Sequence, residues 1–250
     1  IKSVQFEGPL HDSWPPKHHT DILPFDGPLE PKQVAESIEA FMRRAFRRPV
    51  AKSEVARVVG FYNSIEASSD SFEEAMRETL SLVLISPEFL YLAEPVEQPA
   101  TLAKLTEHEL AVRLSYFLWS SMPDAELFKL AEQRQLFRKG VLEQQVARML
   151  DDERSWQFVR HFTSQWLDLS GLNRIAINPQ YYKDFNERLK SQMAEETIRF
   201  VGEVLYHDLS ALNFLKSDFV VVNRSLAQHY NLPEPELNQF ARIALTGDEN

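Results

Sequence analysis

The sequence predicts an all-α fold: two helical subdomains packed into one body, with a short β-like arm at the N-terminus. Three observations predict it. Apolar residues recur at i, i+3 and i+4 from about Pro31 onward, the period of a helix with one buried face. Helix-opening signals stand ahead of those runs, most clearly in Thr106-Glu-His-Glu-Leu-Ala-Val-Arg-Leu-Ser-Tyr-Phe-Leu-Trp-Ser-Ser-Met-Pro-Asp124. Glycine is scarce, 7 in 250 residues, which leaves few of the tight turns that sheets need.

Residues 1–30 differ from the rest. Val4 and Phe6 alternate with polar residues, as in a short strand. Gly8-Pro9, Pro15-Pro16, Pro24, Gly27-Pro28 and Pro31 then break any helix, so this segment reads as the end of a preceding β domain plus a linker. Trp14 beside Pro15 is the one large aromatic placed to pack elsewhere.

Val34, Ile38, Phe41, Ala45 and Phe46 follow helical spacing, and Pro49 stops that helix. A second helix covers 54–65, with Val55, Val58, Val59 and Tyr62 inward. Ser71 with Glu74 fits a capping box and opens a third helix through Leu84. Ser86-Pro87 turns the corner. Residues 94–98, with Pro95 inside them and Pro99 directly after, mark a seam between a first module, 31–95, and a second, 104–250, cut short at its C-terminal end.

The second module opens at Thr106. The Thr106 hydroxyl can accept the Glu109 amide while the Glu109 carboxylate reaches back to the Thr106 amide. Leu110, Leu114, Phe117 and Leu118 form one stripe. Ser121 with Asp124 repeats the cap spacing, and Pro123 falls in the next helix's first turn, where its missing N–H is not needed. Helices follow over 141–150 and 155–169, the latter with Trp156, Phe158, Phe162, Trp166 and Leu167 as core. A long helix covers 184–206. Asp208 caps a short helix to Leu215, residues 219–222 form a short strand, and Asn223 caps a last helix to Tyr230.

Composition sets outer limits. Hydrophobic residues are 44% and charged residues 26%, ordinary for a globular chain. The net charge of −10, from 27 basic and 37 acidic side chains, argues against nucleic acid as the main partner. No apolar run is long enough to span a membrane. The chain has no cysteine, which removes disulfides, thiolate metal sites, cysteine nucleophiles and covalent c-type haem attachment within it. It begins at Ile1 without an initiator Met and reads as a piece of a longer protein, so the lack of a leader carries no weight.

Few polar residues form a pattern with chemistry in it. Glu203 and His207 are i, i+4 on the long helix, and Glu196 lies two turns earlier on the same side, the spacing of metal ligands on a helix. The ordinary alternative is a solvated acidic face, with Arg199 pairing Glu196. His18, His19 and Asp21 are neighbours in the proline-rich segment and make a poor preformed metal site. His108 and His161 stand alone. No Gly-x-Ser-x-Gly elbow and no glycine-rich phosphate loop occurs. Arg43, Arg44, Arg47 and Arg48 crowd one helix C-terminus, where cations meet the dipole's negative end. They suit salt bridges to a neighbouring helix or the docking of an acidic surface.

Two groups of residues carry a resemblance. Phe41-Met-Arg-Arg-Ala-Phe-Arg-Arg-Pro-Val50 and Leu84-Ile-Ser-Pro-Glu-Phe-Leu-Tyr91 resemble one module of large planctomycete-type proteins built from domains of unknown function. Residues 110–124, Arg148-Met-Leu150, Phe158 with Gln165-Trp-Leu167, and Asn223-Arg-Ser-Leu-Ala-Gln-His-Tyr230 look like the next module. The chain departs from the family at Ala51, where a capping Thr is usual. The resemblance implies an exported, periplasmic protein with a cytochrome c-like domain, whose haem would lie outside this chain. It transfers no catalytic residue and no cofactor to these residues. The expectation is a non-catalytic structural or docking module whose partners are other domains of the same polypeptide. The alternative is part of a redox or polysaccharide-active enzyme whose site is completed by other modules.

Overall fold

The computed structural model describes residues 8, 16–23, 30–91, 104–178, 180–182 and 185–245. The strand expected at Val4 and Phe6, the aromatic Trp14 and the seam over 94–98 lie outside the described residues. The fold is all-α with one two-stranded sheet among the described residues. The chain divides into two compact units, residues 1–109 and 110–250.

In the first unit α1 (Lys17–Thr20) is followed by α2 (Pro31–Phe46), α3 (Lys52–Ile65), α4 (Phe72–Leu84) and α5 (Pro87–Leu90). The last four form because apolar stripes and punctuation agree. Val34, Ile38 and Met42 of α2, Val55, Val58 and Tyr62 of α3, and Ala75, Met76 and Val83 of α4 close one core. Pro16 and Leu23 are buried, and Leu23 belongs to that core, so 16–23 is not the bare linker expected from its prolines. Pro16 sits at the N-cap, where a proline obstructs nothing.

The caps are partly as expected. Ser71 accepts the Glu74 amide at 3.1 Å, but the Glu74 carboxylate takes the amide of Asp70 rather than that of Ser71. Ala51 has no side-chain acceptor, yet α3 starts cleanly because Glu54 takes the Ala51 amide at 2.7 Å.

The second core begins with α6 (Glu107–Trp119), α7 (Ala125–Glu132) and α8 (Val141–Asp151). Both bonds of the Thr106–Glu109 capping box are present, at 2.6 and 3.2 Å. Of the expected α6 stripe, Leu118 is buried and Leu110 and Leu114 pack against the core, but Phe117 does not. Ala111, Ser115, Leu118 and Trp119 are buried, whereas Phe117 is 63% exposed. The corner is three residues later than expected as well: Asp124 itself is the N-cap, extended at φ −79° and ψ 175°, and its carboxylate takes the Leu127 amide. Pro123 therefore precedes the helix, and a carboxylate replaces the expected Ser121 hydroxyl as acceptor.

Two further helices, α9 (Trp156–Trp166) and α10 (Glu187–Tyr206), pack on each other through Val159, Ile198 and Val201. Asn186 caps α10 by accepting the Leu189 amide. Beyond it, Asp208 is a left-handed residue at φ 48° rather than a cap, and Ser210 opens the 3-10 turn Ala211–Phe214. The expected strand is β1 (Phe219–Val222), and Asn223 caps α11 (Arg224–Tyr230) through the Leu226 amide. Antiparallel to β1 runs β2 (Ala241–Ala244), with Phe219 opposite Ala244 and Val222 opposite Ala241. Nothing in the local pattern of 241–244 marks a strand; it forms because β1 offers it an edge while burying Phe219, Val221 and Val222.

Candidate functional site

The arginine cluster divides in two. Arg47 ends α2 in the left-handed conformation, φ 57°, and is 8% exposed. Its guanidinium donates to the carbonyl oxygens of Phe89 at 2.6 Å and Glu88 at 3.5 Å, and lies 5.6 Å from the Phe89 ring centre. Arg48 makes a two-pronged pair with Glu54, 2.8 and 3.1 Å, and covers the Phe46 ring. The side-chain bond from Arg48 outweighs burial and holds the Glu54 carboxyl down to about 2. These two arginines clamp α2 to α5 and to α3. Arg43 and Arg44 are exposed. Nearby, α3 and α4 border a groove of about 310 Å³ lined by Phe61, Arg77, Glu78, Ser81, Leu82 and Ile85.

Glu203 and His207 are neighbours, 3.5 Å apart, but Glu203 is also met by Arg242 at 3.3 Å. Glu196 is not part of that group; the Tyr230 hydroxyl of α11 donates to it at 2.9 Å. Burial outweighs that bond and pushes the Glu196 carboxyl above the ordinary range. Arg199, expected beside Glu196, pairs instead with Glu195 at 2.9 Å, which Arg160 of α9 also meets. Three-turn spacing on one face thus resolves into separate pairs, each satisfied from a different element. Among the described residues no group of three His, Asp or Glu side chains converges as a metal site; the side chain of His18, expected beside His19 and Asp21, lies outside them. Asp21 is occupied by Lys17 at 2.7 Å.

The 106–124 stretch carries a denser polar cluster than its caps suggested. Asp124 caps α7 and also receives Arg148 at 2.7 Å and Arg154 at 4.0 Å. Burial pushes its carboxyl up, but hydrogen bonds from Arg148 and the Leu127 amide, with both arginine charges, pull it lower overall. The ring of Trp119, 2% exposed, lies beneath both guanidiniums, at 3.5 Å from Arg154 and 5.4 Å from Arg148, and its Nε1 donates to the Met149 carbonyl. The cluster ties α6, α7 and α8 together.

One surface feature was not expected. Of the aromatics assigned to the core, Phe158 is half-buried and packs against it, but Phe162 and Trp166, at i+4 and i+8 from it, lie on the outside of α9. Consecutive rings are 5.6 Å apart and nearly parallel, at 27° and 30°. Phe117 of α6 extends the row at one end, 5.0 Å from Phe158, and Phe214 extends it at the other, 5.7 Å from Trp166. Phe162 is 46% exposed and Trp166 53%. The signal was present in the sequence: Val159 and Thr163 form a second stripe on the same helix, and they are the buried one. A helix packed on one side cannot bury both. His161, on this outer face, holds Ser120 through Nδ1 at 3.0 Å.

The model of the PSD4 family, described as Protein of unknown function (DUF1592), matches residues 105–232. That of PSD5, described as Protein of unknown function (DUF1595), matches residues 33–94. No curated protein and no solved structure matches the chain.

Proposed function

The chain belongs to the DUF1592 family and carries a DUF1595 module ahead of it, both planctomycete-type domains of unknown function, and on that premise we propose that it is a non-catalytic structural and docking module of a larger exported protein. The observation that carries this reading is where the polar side chains go. Arg47, Arg48, Asp124, Arg148, Glu195, Glu196 and Glu203 each close a contact between two elements of their own unit. A catalytic site instead keeps polar groups converging on a space that a substrate can enter. Export and a c-type haem elsewhere in the polypeptide are supported by the family resemblance; the chain, without cysteine, has no means of attaching haem covalently itself. Among the described residues no helix is long and apolar enough to cross a membrane.

Docking to other domains of the same polypeptide falls to Arg43 and Arg44, the exposed half of the cluster at the α2 C-terminus, facing an acidic neighbour. The test uses the full-length protein. Limited proteolysis is compared between the wild type and Arg43→Glu with Arg44→Glu. The pair is expected to free the chain from its neighbours, and its own melting temperature is recorded alongside so that the loss is read from a folded protein. Identical digestion patterns would remove the docking role. Cell fractionation with a haem stain on the same full-length protein tests export and haem.

A further inference from the structure

We propose that the turn between α7 and α8 docks an acidic peptide segment. The turn presents Arg134, Phe137, Arg138 and Lys139, all exposed. Among the described residues none of these cations is in an ion pair, and the flanking acids Glu132 and Glu143 do not meet them. Phe137 is 57% exposed although its neighbour Leu136 is fully buried in the core of α6, α7 and α8. The backbone is fixed. The Gln135 amide donates to the Leu130 carbonyl at 2.9 Å, that of Arg138 to Gln135 at 3.0 Å and that of Val141 to Arg138 at 3.1 Å. Gly140, at φ 82°, closes the turn where another residue would be strained. A partner therefore meets a backbone already ordered and is spared that cost.

The fold has its own use for Arg134 only. It stands just past the end of α7, where the negative end of the dipole suits it. Arg138 and Lys139 stand directly ahead of α8, whose positive end repels them, and the N-cap Gly140 brings no side-chain acceptor. Cations held at that end of a helix answer a negative charge from outside. Arginine forks pair with carboxylates through two bonds at once, and Phe137 between them takes an apolar side chain. The occupant is a short segment. Salt screens each charge beyond about 8–10 Å, so a short peptide meets this turn alone. A nucleic acid or an anionic bilayer also meets the 37 acidic side chains of a chain with net charge −10. The turn lies in the other unit from Arg43 and Arg44, so this inference and the docking role of that pair stand or fall separately.

The test is fluorescence anisotropy of a labelled peptide of glutamates around one leucine, titrated with the full chain. The same peptide with lysines in place of the glutamates is the charge-reversed probe, and co-sedimentation with phosphatidylglycerol vesicles is a third arm. The acidic peptide is expected to bind, and to bind less well as salt rises from about 50 to about 200 mM. Arg138→Gln with Lys139→Gln is expected to raise its Kd about tenfold, the scale of two exposed charge contacts. Phe137→Ser is expected to raise it about fivefold, the scale of one apolar contact. The urea midpoint of the double variant should lie at or above that of the wild type, because the end of α8 is relieved of two like charges. A lower midpoint gives the cations to the fold and overturns the proposal. So does absence of acidic-peptide binding at about 50 mM salt, or equal binding of the lysine peptide. Binding that Arg43→Glu with Arg44→Glu abolishes and the 138–139 double variant spares overturns it as well. Vesicle binding that Phe137→Ser abolishes overturns it too, because the turn is then a membrane anchor.

Discussion

Gly202 of α10 faces the Trp156 ring of α9 with no room for a side chain between them: a Cβ at position 202 would lie 2.8 Å from Cη2 of the indole. The ring cannot simply retreat. It stacks on Tyr206 at 6.0 Å, and the Tyr206 hydroxyl is bonded to Ser155 Oγ at 2.7 Å. Gly202→Ala therefore has to push α9 away from α10, and an overpacked contact of this kind costs about 1–3 kcal/mol. Gly60 in α3 is the control, since nothing lies within 4 Å of a Cβ built there. Gly60→Ala is expected to stabilise by about 0.5–1 kcal/mol, the ordinary helix gain. Urea unfolding of the two variants should shift in opposite directions. A Gly202→Ala midpoint at or above the wild type would show that the α9–α10 contact yields freely.

Asp124 does two jobs, so its variants separate them. Asp124→Ala removes the α7 cap and the partner of Arg148 and Arg154 together. A lost cap costs about 1 kcal/mol and a half-exposed ion pair up to about 1 more. Asp124→Asn keeps an oxygen for the Leu127 amide and loses only the charge. Its destabilisation should be about half as large, measured by the same urea transitions. Equal losses in the two variants would assign the whole effect to the arginines.

Much of the fold was legible because it is local. Thr106 with Glu109, Asn223 with Leu226 and Ser71 with Glu74 are bonds across three residues, and three residues of sequence announce them. The displaced features are non-local. The strand at 241–244 exists only because β1 lies beside it, and a four-residue segment with one exposed arginine does not predict that. Phe117 left the α6 stripe because Trp119, with its Nε1 bound to Met149 thirty residues away, takes the inward place that spacing alone assigned to it. The candidate metal ligands are divided among partners for the same reason. Helical period placed Glu196, Glu203 and His207 on one side, but Tyr230 and Arg242, from segments far along the chain, engage Glu196 and Glu203 separately. The exposed rings of Phe162 and Trp166 were readable only by noticing that α9 has two apolar stripes, of which Val159 and Thr163 form the buried one.

Arg47 joins a strained backbone to a buried guanidinium, and the two can be pulled apart. Its left-handed conformation favours glycine, while its side chain satisfies carbonyl oxygens at the start and middle of α5. Arg47→Ala keeps the strain and loses the bonds, at a cost of about 2 kcal/mol. Arg47→Gly loses the bonds but relieves the backbone by about 1 kcal/mol. Glycine should therefore be the milder replacement, by guanidinium or urea titration. If alanine proves the milder, the backbone at 47 is not strained.

The pH dependence of stability should have two components of opposite sign. Glu54 is held down to about 2, first by its bond from Arg48, so its contribution is complete above the unfolded value of 4.5 and is lost as pH falls toward 2. Glu196 is shifted the other way, first by burial, so the native state binds its proton more readily than the unfolded chain does. That contribution grows as pH falls through the range just above 4.5 and disappears as pH rises past the native value. Replacing each carboxylate separates the two. Glu54→Gln should flatten the acid limb below pH 4.5 and destabilise at neutral pH by about 1 kcal/mol, the scale of one cap with a part-exposed ion pair. Glu196→Gln keeps an acceptor for the Tyr230 hydroxyl without burying a charge, so it should be neutral or stabilising at pH 7. Urea midpoints for the three proteins from pH 3 to pH 8 measure this. A Glu196→Gln variant less stable than wild type at pH 7 but equal to it at pH 4 would reverse the sign assigned to Glu196 and show that its charge is favoured in the fold.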